Sequence, residues 1–148
     1  MKIVLQKVSQ ASVVVSGKLV SEISKGYMLL VGISVDDTEE DVNKLSKKVV
    51  GLKIFEEGDK FWKKNIKEVN GEILSISQFT LMGRTKKNKP DFHLAQKGDI
   101  ALELYNKFLK NLRDEMGESK VKDGEFGAMM DCKLTNEGPV TLILDSQN

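Results

Sequence analysis

Residues 27–33 read Tyr-Met-Leu-Leu-Val-Gly-Ile, an almost unbroken apolar run. Such a run, bounded by Lys25-Gly26, suits a central strand buried on both faces. On its N-terminal side, Ile3 to Val8 is β-branched and begins with alternation. Ala11, Val13 and Val15 then alternate with Ser12, Val14 and Ser16, so a strand continues or restarts there. Ser16-Gly17 marks a turn, and Leu19, Val20 and Ile23 form the return strand.

On the C-terminal side a helix starts near Asp37-Thr38. Thr38 is placed to cap it, and Glu39, Glu40 and Asp41 complement the positive end of its dipole. Val42, Leu45, Val49 and Leu52 recur at helical spacing, and Gly51 weakens the end. Ile54-Phe55 reads as a short strand stopped by Glu57-Gly58-Asp59. Residues 60–69 are polar and support no assignment. Asn70-Gly71 predicts a hairpin turn, followed by a strand over 72–81. Residues 82–98 form a loop long enough to point to function. A second helix spans 99–116, with Ala101, Leu104, Tyr105, Phe108 and Leu112 inward and Gly117 at its end. Asp123-Gly124 is a turn. Phe126, Ala128, Met130, Cys132 and Leu134 alternate as a strand, 136–139 is a turn, and 140–144 closes the sheet. The expected class is α+β: one domain over 1–148, with a curled, mainly antiparallel sheet or open barrel and two main helices packed outside.

The chain has 148 residues, with 23 Lys plus Arg against 22 Asp plus Glu, so its net charge of +1 gives no global attraction to nucleic acid. Any basic footprint must be local. One cysteine excludes an internal disulfide and a multi-thiolate zinc site, and one histidine excludes a multi-histidine metal site. No metal or cofactor is expected. The N-terminal apolar run is too short for a signal peptide, and none approaches a membrane span. A soluble, cytoplasmic protein is the default expectation.

Four segments could carry chemistry. Ser75-Ile76-Ser77-Gln78-Phe79-Thr80-Leu81 ends a strand before the long loop, a natural place for a ligand site, with Ser77 and Thr80 offering hydroxyls and Gln78 an amide. Serine and threonine are also ordinary on strand surfaces, and a nucleophile needs a general base. His93 is the only imidazole, and no sequence pattern ties it to Thr80. Gly138-Pro139 reads as an ordinary turn; if cis, it would be a rigid corner that another molecule can approach closely. Arg84, Lys86, Lys87 and Lys89 lie in the long loop, either as a phosphate clamp or as a solvated face. Lys63, Lys64 and Lys67 beside Trp62 read as a weaker, solvated cluster. Phe126, Met130 and Cys132 read as core, with Cys132 not a nucleophile.

Taken together, SQFTL at 77–81 and NEGPVT at 136–141 resemble the D-aminoacyl-tRNA deacylase family. KIVLQKVSQASV at the start, KPDFHLAQKG before the second helix, and DGEFGAMM also look like its eukaryotic members. The resemblance spans the whole chain. It implies a homodimer with active sites at the subunit interface. It implies hydrolysis of the ester between a D-amino acid and the terminal adenosine of tRNA, with glycine also accepted. It implies a cis Gly138-Pro139 that reaches into the partner's site as a chirality filter. Ser77, Gln78, Phe79 and Thr80 would line the adenosine and reaction pocket, and Phe126 and Met130 would wall it. Many members carry arginine where this chain has Lys7; lysine lacks the bidentate fork, so the bracing of Gly138-Pro139 differs here.

An aminoacyl ester is already activated. Main-chain amides near Phe79 and Thr80 can hold the developing oxyanion, and the ribose 2′-hydroxyl can orient water. Thr80 as nucleophile is the competing mechanism. A non-catalytic nucleic-acid-binding module is the alternative of a different class, and a general esterase is a third.

Overall fold

The computed structural model describes residues 1–148. The 27–33 run becomes β3 (Gly26–Gly32), and it is buried on both faces as its composition demands. Tyr27, Leu29 and Val31 pack toward the helices in the larger core, while Met28 joins a second core formed with Val8, Val13, Ile23, Leu74 and Ile76. The helices are α1 (Glu39–Gly51) and α2 (Gly98–Met116). In α1 the Asp41 carboxylate accepts from the Thr38 N–H at 2.9 Å and the Thr38 hydroxyl at 3.3 Å, closing the free end of the helix.

The other elements are β1 (Lys2–Val15), β2 (Lys18–Ile23), β4 (Phe55–Glu57), β5 (Lys60–Lys64), β6 (Glu72–Ser77), β7 (Val121–Asp123) and β8 (Asp131–Asp145). The main sheet runs β2-β1-β3-β6-β7, with β8 paired to β1. The long β1 pairs with β3 through its first half, with β2 through its second, and with β8 along most of its length. All three pairings are antiparallel, whereas β3–β6 and β6–β7 are parallel. Two side-chain bonds span the two ends of that strand order. The Ser21 hydroxyl donates to the Asp123 carbonyl, and Lys122 Nζ donates to the Glu22 carbonyl at 2.9 Å. They draw β2 toward β7, and the mixed sheet nearly closes into a barrel. The α+β class is borne out, with a larger parallel share than the short turns suggested.

Three local expectations are corrected. Asn70, at φ 55°, makes a turn, but the strand after it pairs parallel to β3, so Asn70-Gly71 forms no hairpin; the hairpin is β4–β5, within and beside the unassigned 60–69 stretch. The strand expected over 72–81 ends at Ser77 and gives way to a single 3-10 turn, Phe79–Met82. The strand expected from Phe126 starts only at Asp131, and 136–139 is not its end but lies inside β8. Gly124 lies where the chain leaves the sheet after β7, with Met130 packed against it. A Cβ there would sit 2.7 Å from Met130 Sδ and 2.9 Å from Ile76 Cδ1, so glycine leaves room for both side chains to close over the turn.

Candidate active site

The end of β6 and the turn after it form the floor of a cleft of about 830 Å³ lined by Ser77, Gln78, Phe79 and Thr80. Phe92 and residues 95–98 line it, as do Phe126, Met130 and the residues between them. The four floor residues and both expected wall residues thus come together. The apolar residues of the lining outnumber the polar ones, with 12 hydrophobic among 19, as ligand clefts generally do. Phe92, Gln96 and Lys97 were given no role from sequence; they sit in the long loop, whose polar character carries no periodic signal.

Local geometry sets what the floor can do. The Gln78 N–H donates to the Val31 carbonyl at 2.7 Å, tying the turn to β3. The first bond of the turn runs from the Leu81 N–H to the Gln78 carbonyl at 3.2 Å. The Phe79 and Thr80 amides precede it and have no acceptor inside the turn. The Gln78 side-chain amide donates to the Thr80 hydroxyl at 2.5 Å. His93 pairs instead with the Asp91 carboxylate, on the exposed loop, and does not line the cleft. Its hydrogen bond holds the Asp91 carboxyl below the usual range. No imidazole therefore reaches Thr80.

Beneath the wall lies a polar network that sequence reading missed. The Tyr105 hydroxyl donates to Asp123 Oδ1 at 2.6 Å and lies 3.0 Å from the Ser75 hydroxyl. Tyr105 also packs against Phe126, with ring centroids 5.8 Å apart. Burial, then the Asp123 charge, pushes the Tyr105 hydroxyl far above its usual range, and burial raises the Asp123 carboxyl. The three groups come from α2, β6 and β7, and only the helical spacing of Tyr105 was visible in sequence.

Cys132 corrects a prediction. It is exposed and lines the cleft rather than the core. Phe126–Met130 leaves the sheet, so the alternation that would have buried it does not exist. Desolvation, then the Asp131 charge, raises its thiol above the usual range, which keeps it a poor nucleophile.

Gly138-Pro139 is cis and does not line this cleft. It lies on an excursion of β8. Gln6 pairs with Thr141 and Val8 with Asn136, so Lys7 alone faces residues 137–140. Asn136 closes the excursion, accepting from the Val140 N–H and donating to the Thr141 hydroxyl, both at 2.8 Å. Gly138 adopts φ 130°, where a Cβ would lie 2.7 Å from Val140 Cγ2. The buried Lys7 ammonium stands 2.7 Å from Glu56 Oε2 and 3.7 Å from Glu137 Oε1. Arg84, Lys86, Lys87 and Lys89 are exposed on the loop after the turn, and none lines the cleft.

No helix is long and apolar enough to cross a membrane. A family profile described as D-Tyr-tRNA(Tyr) deacylase matches residues 4–145. The chain is similar to a D-aminoacyl-tRNA deacylase of Saccharomyces cerevisiae, 73% identical over 99% of both chains. It is 48% identical to one of Flavobacterium psychrophilum over 100% of this chain and 99% of that one. Among solved structures it resembles one described as c-Myc DNA Unwinding Element Binding Protein, with a TM-score of 0.93, 42% identity and 98% of each chain covered. A second, described as a probable eukaryotic D-amino acid tRNA deacylase, shares the fold at a TM-score of 0.85 with 21% identity and 97% of each chain covered. With the family profile spanning nearly the whole chain and relatives this similar over their full length, the chain belongs to the D-aminoacyl-tRNA deacylase family.

Proposed function

We propose that the protein hydrolyses the ester of D-aminoacyl-tRNA, and of glycine mischarged on tRNA, as a homodimer. One observation carries the reading. The SQFT floor and the Gly138-Pro139 excursion are both fully formed, yet they occupy separate places on one chain. A second copy can bring the excursion of one protomer into the cleft of the other.

In that arrangement the excursion is a wall made of main chain. A substrate fixed by its α-amino group would point an L side chain into Gly138-Pro139 and clash. A D side chain would point to solvent, and glycine has nothing to exclude. Water adds to the ester carbonyl, with the Phe79 and Thr80 amides receiving the oxyanion. The C–O3′ bond then breaks, and the ribose 3′-oxygen takes a proton. The ribose 2′-hydroxyl orients the water. What supports this over a threonine nucleophile is that the Thr80 hydroxyl is engaged by Gln78 and has no base beside it. The exposed Arg84, Lys86, Lys87 and Lys89 supply a local cationic surface for the RNA backbone. The compartment proposed is the cytoplasm.

Incubation of the protein with D- and L-aminoacyl-tRNA carrying the same amino acid tests the reading. Release of the D-amino acid with the L-ester left intact is expected. Equal release of both, or of neither, rejects it. The name of the structure 42% identical to this chain favours one other reading, a module that binds nucleic acid without catalysis. That reading predicts salt-sensitive binding with D-aminoacyl-tRNA left intact.

A further inference from the structure

We propose that the hairpin β4–β5 is a stacking platform for the unpaired nucleotides at the 3′ end of the tRNA, with Phe61 and Trp62 meeting the bases and Lys60 and Lys63 the phosphates. The inference rests on the function proposed above and names a further part of its RNA site.

The hairpin is irregular in a particular way. Phe55 pairs with Lys64 and Glu57 with Lys60, so Glu56 alone opposes Phe61, Trp62 and Lys63. A bulge of this kind re-aims side chains and is common beside functional sites. Within it Trp62 holds φ 60°, a left-handed conformation that bulky residues rarely adopt. The result is two large rings in water, Phe61 69% and Trp62 56% exposed. The base of the hairpin is firmly held: Phe55 is fully buried and stacks on Tyr27 at 5.3 Å, and Glu56 binds Lys7. The rings are therefore displayed from a fixed support rather than from a loose tip.

The chemistry suits single-stranded RNA. Aromatic faces accept any base by stacking, and neighbouring ammonium groups follow the backbone. Lys64 is paired with Glu57 at 3.3 Å, whereas Lys60 and Lys63, both exposed, enter no ion pair. The position suits it as well. Glu56, opposite the bulge, and Glu137, next to Gly138, meet at the same buried ammonium of Lys7. An excursion that enters the partner's cleft would therefore carry this bulge toward the mouth of that cleft. The terminal adenosine lies inside, and the nucleotides preceding it must leave through that mouth.

Trp62 is the only tryptophan, so intrinsic fluorescence reports on the platform directly. Titration uses an uncharged RNA hairpin ending in single-stranded CCA, and the same hairpin with a blunt end. Quenching by the overhang alone, weaker in high salt and weaker in a Lys60→Gln/Lys63→Gln variant, is expected. In a Phe61→Ala/Trp62→Ala variant, KM for D-aminoacyl-tRNA should rise about tenfold relative to KM for a minimal D-aminoacyl-adenosine, as loss of base stacking predicts. Fluorescence that ignores the overhang, or an unchanged KM ratio, overturns the inference. So does a double variant that becomes monomeric by sedimentation, since the rings would then be a subunit contact. Failure of the wild type to release D-amino acid would instead sink the deacylase reading, while the titration with uncharged RNA still reads the platform.

Discussion

The side-chain amide of Gln78 donates to the hydroxyl of Thr80 across 2.5 Å, while the one imidazole of the chain, His93, pairs with Asp91 and supplies that hydroxyl no base. Thr80→Ala and Thr80→Val should each keep deacylation within about tenfold of wild type. Loss of a true nucleophile costs on the order of 10⁶ in kcat, so single-turnover rates separate the two cases clearly. A substrate ending in 2′-deoxyadenosine should react far more slowly than the ribose form.

Gly138→Ala places a Cβ 2.7 Å from Val140 Cγ2 and 2.9 Å from its N, at φ 130°. The excursion is exposed, so the fold should survive with a near-native circular dichroism spectrum. Deacylation of D-aminoacyl-tRNA should fall by at least about tenfold, as a misplaced positioning group does. Full activity would remove the excursion from the site.

Tyr105→Phe removes the hydroxyl that meets Asp123 and the fully buried Ser75. Leaving such groups without a partner costs about 1–3 kcal/mol. The urea midpoint should drop accordingly, with the m-value unchanged. A midpoint equal to wild type would show that water replaces the hydroxyl.

The hydrogen bond from the Lys7 ammonium, with lesser help from its own backbone, holds the Glu56 carboxyl below the usual glutamate range. A depressed carboxyl adds stability above its unfolded-state pKa and loses it as pH falls through the folded one. Glu56 is 34% exposed, so the expected size is below about 1 kcal/mol. Urea unfolding of wild type and Glu56→Gln should therefore converge as pH drops below the carboxylate range. A constant gap would deny the linkage.

Asp123 has the opposite sign. Burial raises its folded-state pKa, so its contribution is full below the unfolded value and lost as pH rises through the folded one. Asp123→Asn should gain on wild type as the pH of the unfolding experiment is raised from about 3 to 7. A variant that instead loses ground to wild type as pH rises would place Asp123 in a favourable ion pair.

Much of the fold is written in short-range pattern. The 27–33 run and the repeats of Val42, Leu45 and Val49 and of Leu104, Tyr105 and Phe108 decide β3, α1 and α2, because a strand or helix buries one face by local spacing alone. The hairpin reading of Asn70-Gly71 failed because the dipeptide specifies a turn but not which strand the next segment pairs with, and β3 was the available edge.

The site divides in the same way. SQFT and NEGPVT stand out as residue strings, and the local bonds of Asn136 and Gln78 lie within them. Sequence alone therefore determined the apolar strand, both helices and the two motif strings, since each depends on neighbours a few residues away. Only the tertiary structure decided that β8 carries Gly138 on an excursion over Lys7, that Cys132 faces the cleft, and that Ser75, Tyr105 and Asp123 meet under its wall. Those outcomes depend on contacts between segments far apart in the chain, where register and burial, not residue type, choose the partner.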